Sequence, residues 1–235
     1  AVEEARRTFP DLDVRFGAEF EYRPEWAEPL ERLAGAVPFD LVLGSVHVVD
    51  GLNVSGGSEP ERYFEGRACR AAYRAYFESV ERMVQWGGFD VVAHFDLVKR
   101  FGHLHCGPYD PSDFESTIRR ILRRMATSGI GLEINTSGVV QPPGVPYPEG
   151  EILAWAREEG ASHLTIGTDS HAPGRIDQGL AEGLALARRA GWRQVTRFER
   201  RQPVDLPLAA IRTAGDRSRS RSARPSEKTD RRRST

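Results

Sequence analysis

The sequence predicts an α/β fold built on a parallel β-sheet. Three observations support this: short apolar segments alternate with amphipathic helical segments, the apolar segments are nearly continuous, and most of them end in a histidine, carboxylate or amide. Continuous apolar strands are typical of parallel sheets that helices cover on both faces. Right-handed crossovers then bring the carboxyl ends of all strands to one side of the sheet.

Six segments have the composition of strands, separated by five segments with apolar residues at helical spacing. The predicted strands are residues 14–20, 39–49, 89–95, 130–135, 162–168 and 194–198. The predicted helices are residues 25–36, 60–86, a segment that Ser112 or Asp113 caps and Gly129 ends, 149–159 and 178–190. Val2, Ala5 and Phe9 indicate the end of a further helix, and because the chain opens at Ala1 without methionine, we expect a preceding βα unit to be missing.

The composition is typical of a soluble globular domain, with 39% hydrophobic and 29% charged residues in a chain of 235. No apolar run approaches the ~18 residues of a membrane span. The two cysteines, Cys69 and Cys106, have no partner at zinc-binding spacing. We therefore expect no disulfide and a reducing compartment, the cytoplasm.

The net charge of −1 hides a basic end of the chain. Residues 212–235 carry nine Lys or Arg against three Asp or Glu, which leaves −7 on the rest. Because this Arg/Ser-rich segment has almost nothing apolar to bury, we expect residues 209–235 to form a disordered tail after a domain of residues 1–208. Such a tail either binds nucleic acid through phosphates or is a solvated extension without a role.

Histidines and carboxylates at the predicted strand ends are candidate metal ligands. His47 and His94 each end an apolar strand, and Asp169 and His171 follow another within Gly-Thr-Asp-Ser-His. Glu19 follows Gly17 in the first strand, where Glu21 is a competitor on the same face, as Asp96 is for His94. Each residue alone also fits a structural role, a cap or a surface histidine, but packing does not require imidazoles and carboxylates at equivalent strand ends. Together they predict a site for several divalent ions.

The ordered motifs resemble histidinol phosphatases of the polymerase-and-histidinol-phosphatase (PHP) superfamily. They are Gly-x-Glu, Gly-Ser-Val-His, Ala-His-Phe-Asp-Leu-Val-Lys-Arg-Phe, Leu-Glu-Ile-Asn-Thr-Ser-Gly and Gly-Thr-Asp-Ser-His-Ala-Pro, between residues 14 and 198. The resemblance implies a distorted (β/α)₇ barrel that here lacks its first βα unit, and with it the family's His-x-His motif.

The resemblance also implies hydrolysis of L-histidinol phosphate to L-histidinol and phosphate in histidine biosynthesis. A cluster of three zinc, manganese or iron ions is implied, with ligands at Glu19, His47, His94, Asp169 and His171. A metal-bound hydroxide would attack phosphorus, so no side-chain nucleophile is expected. Without the His-x-His motif, this chain by itself is expected to lack roughly half of the coordination sphere, a loss that can leave the fragment inactive.

Substrate recognition requires a cation for the phosphate. Arg100 is the first candidate, followed by Lys99 and Arg175, and Glu133 or Asn135 would contact the imidazole or amine of the substrate. His103 and His105 are candidate proton donors by residue type only. The alternative is that both are surface histidines without a catalytic role. Shortly after Asn-Thr-Ser-Gly, where we expect the family to have an arginine, this chain has Val139-Val140-Gln141.

Two other functions fit the sequence. One is a PHP phosphoesterase that acts on nucleotides or other small phosphomonoesters. The other is a non-catalytic, truncated barrel whose basic tail binds nucleic acid. In either case no membrane association is expected.

Overall fold

The structure, a computed structural model, describes residues 1–211 and confirms an α/β fold with a parallel sheet. Nine strands are present in these residues: β1 (Gly17–Glu21), β2 (Leu41–Ser45), β3 (Val48–Val49), β4 (Leu52–Asn53), β5 (Val91–Val92), β6 (Gly131–Asn135), β7 (Leu164–Gly167), β8 (Gln194–Glu199) and β9 (Gln202–Pro207). Five of them form one parallel sheet in the order β1-β2-β5-β6-β7.

Helices connect the parallel strands, and short 3₁₀ helices occur between them. The α-helices of the described residues are α1 (Val2–Thr8), α2 (Ala27–Ala36), α3 (Glu59–Phe64), α4 (Cys69–Trp86), α5 (Lys99–Cys106), α6 (Glu115–Ser128), α7 (Gly150–Glu158) and α8 (Leu180–Arg189). The 3₁₀ helices are Pro24–Trp26, Pro111–Phe114, Thr136–Val140, Pro173–Arg175 and Leu208–Ala210.

The helix α4 shows how the sequence builds the core. Its apolar residues recur at helical spacing, so Tyr76, Phe77 and Val80 face the sheet and are fully buried. Burying each such side chain stabilises the fold by about 1.5–3 kcal/mol. Gly87 ends the helix in the left-handed conformation, with φ of 72°, as predicted from Gly87-Gly88.

The structure corrects two predicted helix boundaries and adds one helix. The segment 60–86 is not one helix, because Gly66, at φ of 65°, separates α3 from α4. Asp110, rather than Ser112 or Asp113, caps the segment before α6, since its side chain accepts a hydrogen bond from the Ser112 amide at 2.9 Å. The helix α5 was not predicted at all, because the segment is only eight residues long and contains Gly102, an unfavourable residue inside a helix.

The predicted sixth parallel strand is also corrected. β8 lies beside β7 but pairs antiparallel with β9, so it forms a hairpin apart from the parallel sheet. β9 was missed because the connecting turn has no Gly or Asn: Arg200 and Arg201 adopt φ of 50° and 63° themselves. The turn is fastened by Asp40, which accepts a hydrogen bond from the Arg200 amide, and by an Arg201–Asp90 ion pair.

The expectation that the cysteines are free is wrong: Cys69 and Cys106 form a disulfide between the start of α4 and the end of α5. The two cysteines are 37 residues apart in the sequence, so their proximity could not be predicted from it. They come together because α5 packs on α4. Gly102 permits the close approach, since a Cβ there would lie 2.1 Å from the Tyr73 hydroxyl. A cytoplasmic location stays a prediction. The disulfide contradicts one of the two arguments for it, the unpaired cysteines, and leaves the other, the lack of a long apolar run.

None of the helices in residues 1–211 has the length and apolar character needed to cross a membrane. Residues 212–235 lie outside the described part of the chain. The predictions of a disordered tail and of its binding to nucleic acid therefore stay predictions.

The disulfide gives a stability prediction. Closing a loop of 37 residues restricts the unfolded chain, so reduction or Cys106→Ser should lower the free energy of unfolding by about 3–4 kcal/mol. Urea unfolding with and without dithiothreitol measures this difference. The double variant with both cysteines replaced by serine is the control, because dithiothreitol should leave it unchanged. Two reactive thiols in the native, unreduced protein would contradict the assignment.

Candidate metal centre and adjoining cavity

Three of the predicted metal ligands meet at the carboxyl ends of adjacent strands. Glu19 lies in β1, His47 follows β2 and His94 follows β5. The Oε1 atom of Glu19 lies 3.1 Å from Nε2 of His94 and 3.4 Å from Nε2 of His47. One ligand atom from each residue lies within 4.8 Å of the others, so the three side chains can share a cation.

Glu19 and His94 shift each other's pKa. Burial raises the pKa of Glu19, but the hydrogen bond and charge of His94, together with the charge of His47, outweigh burial and lower it to about 2. Burial lowers the pKa of His94, but the hydrogen bond and charge of Glu19 outweigh burial and raise it. The carboxylate of Glu19 is thus held ionised beside two imidazoles, a position that suits a cation.

Glu21 orients His47 instead of replacing Glu19. One carboxylate oxygen, Oε2, lies 2.7 Å from His47 Nδ1 and accepts a hydrogen bond from the His47 amide at 2.9 Å. The other oxygen accepts from the Val48 amide at 3.0 Å. Because Glu21 engages Nδ1, it leaves Nε2 facing Glu19, which is the arrangement of a carboxylate–histidine–metal triad.

Glu133 supports His94 from the neighbouring strand β6. It is buried, and its Oε2 accepts hydrogen bonds from the His94 amide at 3.0 Å and the Asn135 side chain at 3.1 Å. His94 itself has φ of 25°, a left-handed conformation that a non-glycine residue adopts only when its surroundings hold it. Gly167 makes room for this carboxylate, because a Cβ there would lie 2.3 Å from Glu133 Oε1.

Asp169 and His171, the other two predicted ligands, lie outside this three-residue group. The His171 side chain is 88% exposed, and its Nδ1 lies 3.0 Å from the carbonyl oxygen of Asp169. Asp169 has φ of 50°, and its charge contributes to the raised pKa of His94. Asp169 is therefore within electrostatic reach of the group, whereas His171 points into solvent in this structure.

A cavity of about 430 Å³ adjoins Asp169 and His171. Two of the three predicted phosphate-binding cations, Arg100 and Arg175, line it together with Gln141. Among residues 1–211, Arg100 makes no salt bridge, and its Nε is buried without a hydrogen-bond partner. A guanidinium in this state is suited to an anion brought by a ligand.

Lys99, the third predicted cation, has a different position. It is buried, and its Nζ lies 3.1 Å from Asp96, 2.9 Å from Glu149 and 3.0 Å from the carbonyl oxygen of Pro146. All three donors of its ammonium group are engaged. Lys99 therefore fastens the start of α5 to the segment before α7 and does not face the cavity.

Glu133 and Asn135, predicted to contact the substrate, are both buried. Asn135 Oδ1 accepts hydrogen bonds from the backbone and side chain of Ser137, at 3.1 and 2.6 Å, and so caps the 3₁₀ helix that follows β6. Direct contact with a substrate would require these residues to give up their present bonds. The candidate proton donors His103 and His105 are exposed and are not part of the cavity lining.

The donor set fits a divalent transition metal. One carboxylate and two imidazoles are ligands that zinc, manganese or iron accept, and Glu21 satisfies the second nitrogen of His47 as such a site requires. The fold and these groups together define an α/β protein with a candidate divalent-metal centre beside an arginine-lined cavity.

Comparison with known proteins assigns the family. A model of the PHP domain matches residues 1–137, and this chain belongs to that family. A relative from Deinococcus radiodurans named "Probable histidinol-phosphatase" is 34% identical over 195 residues, which cover 82% of this chain and 71% of the relative. A histidinol-phosphatase from Lactococcus lactis is 26% identical over 80% of this chain and 68% of its own length.

A solved structure supports the fold. The crystal structure of histidinol phosphate phosphatase from Lactococcus lactis, complexed with zinc, L-histidinol and phosphate, has a TM-score of 0.75. The match covers 86% of this chain and 76% of that chain at 23% sequence identity. At this identity, the likeness establishes a shared α/β architecture.

The contacts of Glu21 give a prediction about metal affinity. Glu21→Gln should weaken zinc binding by roughly 10–100-fold, because His47 loses the carboxylate that orients it. Competition with a chromogenic chelator measures the affinity without any turnover. Glu28→Gln, at an exposed glutamate of α2, is the matched control and should bind zinc as the unmodified chain does. Equal affinity in both variants would contradict the orienting role of Glu21.

Proposed function

We propose that this chain is a metal-dependent phosphomonoester hydrolase whose substrate is L-histidinol phosphate, which it converts to L-histidinol and phosphate in histidine biosynthesis. The single observation that carries the proposal is the position of Arg100, a guanidinium without a carboxylate partner in residues 1–211, in the cavity that Asp169 also lines. The histidinol-phosphatase names of its relatives supply the substrate.

Divalent ions held by Glu19, His47 and His94 would activate water and neutralise charge on the phosphate oxygens. We propose that Asp169 and His171 complete the coordination sphere of a cluster of three ions, which requires the exposed His171 side chain to turn inward. The Asp169 charge already acts on His94, which supports this assignment for Asp169. Zinc is present in the related solved structure, whereas zinc, manganese and iron all suit the donor set.

The proposed role of the side chains of this chain is to bind the phosphate of the substrate and to orient the metal ligands. Arg100 would donate to the phosphate oxygens, and Arg175, also at the cavity, would be a second donor. Gln141 lines the same cavity but has no charge, so these two arginines would provide the positive charge for the phosphate. Glu21 and Glu133 would keep the two imidazoles in place while the substrate binds and leaves.

The seven-unit barrel is part of the proposal. In the described residues the sheet ends at β1 on one side and β7 on the other, so both edges offer unpaired backbone groups. Near these edges lies an apolar cavity of about 320 Å³, whose lining includes Leu41, Ile166 and Val195. An additional strand with apolar side chains would fill this space and continue the sheet toward closure.

The enzyme proposal gives a direct activity prediction. With manganese or zinc present, the chain should release inorganic phosphate from L-histidinol phosphate faster than from a nucleoside monophosphate or p-nitrophenyl phosphate. His94→Ala should abolish release and lower the bound metal, because it removes a buried ligand of the group. Colorimetric phosphate detection and metal analysis measure the two effects. Equal phosphate release by His94→Ala and the unmodified chain would contradict the assignment of His94 as a metal ligand. Faster phosphate release from nucleotides would favour the alternative, another PHP phosphoesterase.

Arg100 gives a second activity prediction. Arg100→Gln should raise KM for the phosphate ester by about tenfold or more, because a charge-assisted hydrogen bond to the phosphate is lost. Steady-state kinetics at saturating metal measures the change. Arg193→Gln, an exposed arginine before β8, is the control and should leave KM unchanged. If KM in Arg100→Gln stays within twofold of the original value, another group binds the phosphate.

A further inference from the structure

A second polar cavity, of about 170 Å³, lies apart from the cavity at Arg100. It is formed where the loop after β1, the turn of the β3–β4 hairpin and the helix α4 come together, and two arginines, Arg23 and Arg82, line it. No lining residue is shared between the two cavities. We refer to this space as the Arg23–Arg82 cavity.

Neither arginine has its charge satisfied within the described residues 1–211. Arg82 donates one hydrogen bond, to the hydroxyl of Ser79 at 2.8 Å, and makes no salt bridge there. Arg23 packs its guanidinium over the Trp26 ring at 4.4 Å, and its Nε is buried with no hydrogen-bond partner. A buried N–H left unpaired is destabilising, so such a group normally meets water or a ligand.

Two carboxylates also line the cavity, and their positions affect what can bind. Asp50 is already paired, since Arg67 donates to its Oδ2 at 2.7 Å. Glu25 and Arg82 are both exposed to solvent, where their charges are screened to a similar extent. The buried donor without a partner is therefore Nε of Arg23, and the Arg82 guanidinium lines the same cavity from α4.

We propose that the Arg23–Arg82 cavity binds a small oxyanion, either a phosphate or the carboxylate group of a small molecule. Two guanidinium groups supply charge-assisted donors in the planar geometry that both oxyanions accept. A volume of about 170 Å³ has room for such a group. The site depends on neither the metal centre nor the proposed phosphatase activity.

The cavity touches the two segments that hold His47. Tyr22, in its lining, follows Glu21 directly in the sequence, and Val48, also in the lining, donates its amide to Glu21. A bound oxyanion would join this hairpin to Arg82 on α4. Occupancy of the cavity would thus stabilise the hairpin on which His47 depends.

The test is a titration of the ¹⁵N-labelled full chain with inorganic phosphate and, separately, with acetate, followed by amide chemical shifts. Binding in this cavity should shift the Gly51 and Ser79 amides along a saturable curve. Binding at Arg100 would instead shift the Gln141 and Ser170 amides, so the two sites are read out separately. Saturation by phosphate alone identifies a phosphate site, and saturation by acetate alone identifies a carboxylate site.

Arg82→Gln should raise the dissociation constant read from the Gly51 amide by about tenfold or more, because one charged donor is lost. Arg23→Gln should have a similar effect and serves as the second variant if Arg82→Gln does not fold. Arg74→Gln removes the same charge from an exposed position of α4 and should leave the affinity unchanged. The proposal is overturned if neither anion shifts these amides saturably, or if Arg74→Gln weakens binding as much as Arg82→Gln.

Discussion

The candidate site depends on the register of the parallel sheet. β1, β2 and β5 are neighbours in parallel register, so the residues at their carboxyl ends converge although the three ligands are separated by up to 75 positions in sequence. One carboxylate oxygen of Glu19 lies close to both His47 and His94. Loss of a single strand pairing would separate the carboxylate from an imidazole.

A second set of carboxylates converts this convergence into fixed geometry. Glu21 contacts both the ring and the backbone amide of His47. Glu133 accepts a hydrogen bond from the backbone amide of His94, which has a strained, left-handed conformation. Burial raises the pKa of Glu133, although the charge of His94 opposes this. Acidic side chains here therefore have two roles, because Glu19 faces the candidate metal position while Glu21 and Glu133 position the imidazoles.

Sequence reasoning could predict the parts of the fold that local patterns encode. The α/β class, the five parallel strands and the convergence of Glu19, His47 and His94 follow from apolar runs and the residues that end them. The disulfide was not predictable, because it depends on how two helices pack across 37 residues. The β8–β9 hairpin was missed for the opposite reason: its turn uses Arg200 and Arg201 in conformations that sequence patterns assign to glycine or asparagine.

Lys99 and Arg100 show why charge type and sequence position do not identify a ligand-binding cation. They are adjacent in the first turn of α5, and successive residues of an α-helix point about 100° apart. The Lys99 side chain points to the buried carboxylate of Asp96 and pairs with it. The Arg100 side chain points to the cavity, where it meets no carboxylate among the described residues. Because α5 was not predicted, these two directions could not be distinguished from the sequence. What distinguishes Arg100 is a buried Nε that has no hydrogen-bond partner among residues 1–211, and Arg23 shares this property, whereas other arginines without a salt bridge, such as Arg74 and Arg193, are exposed.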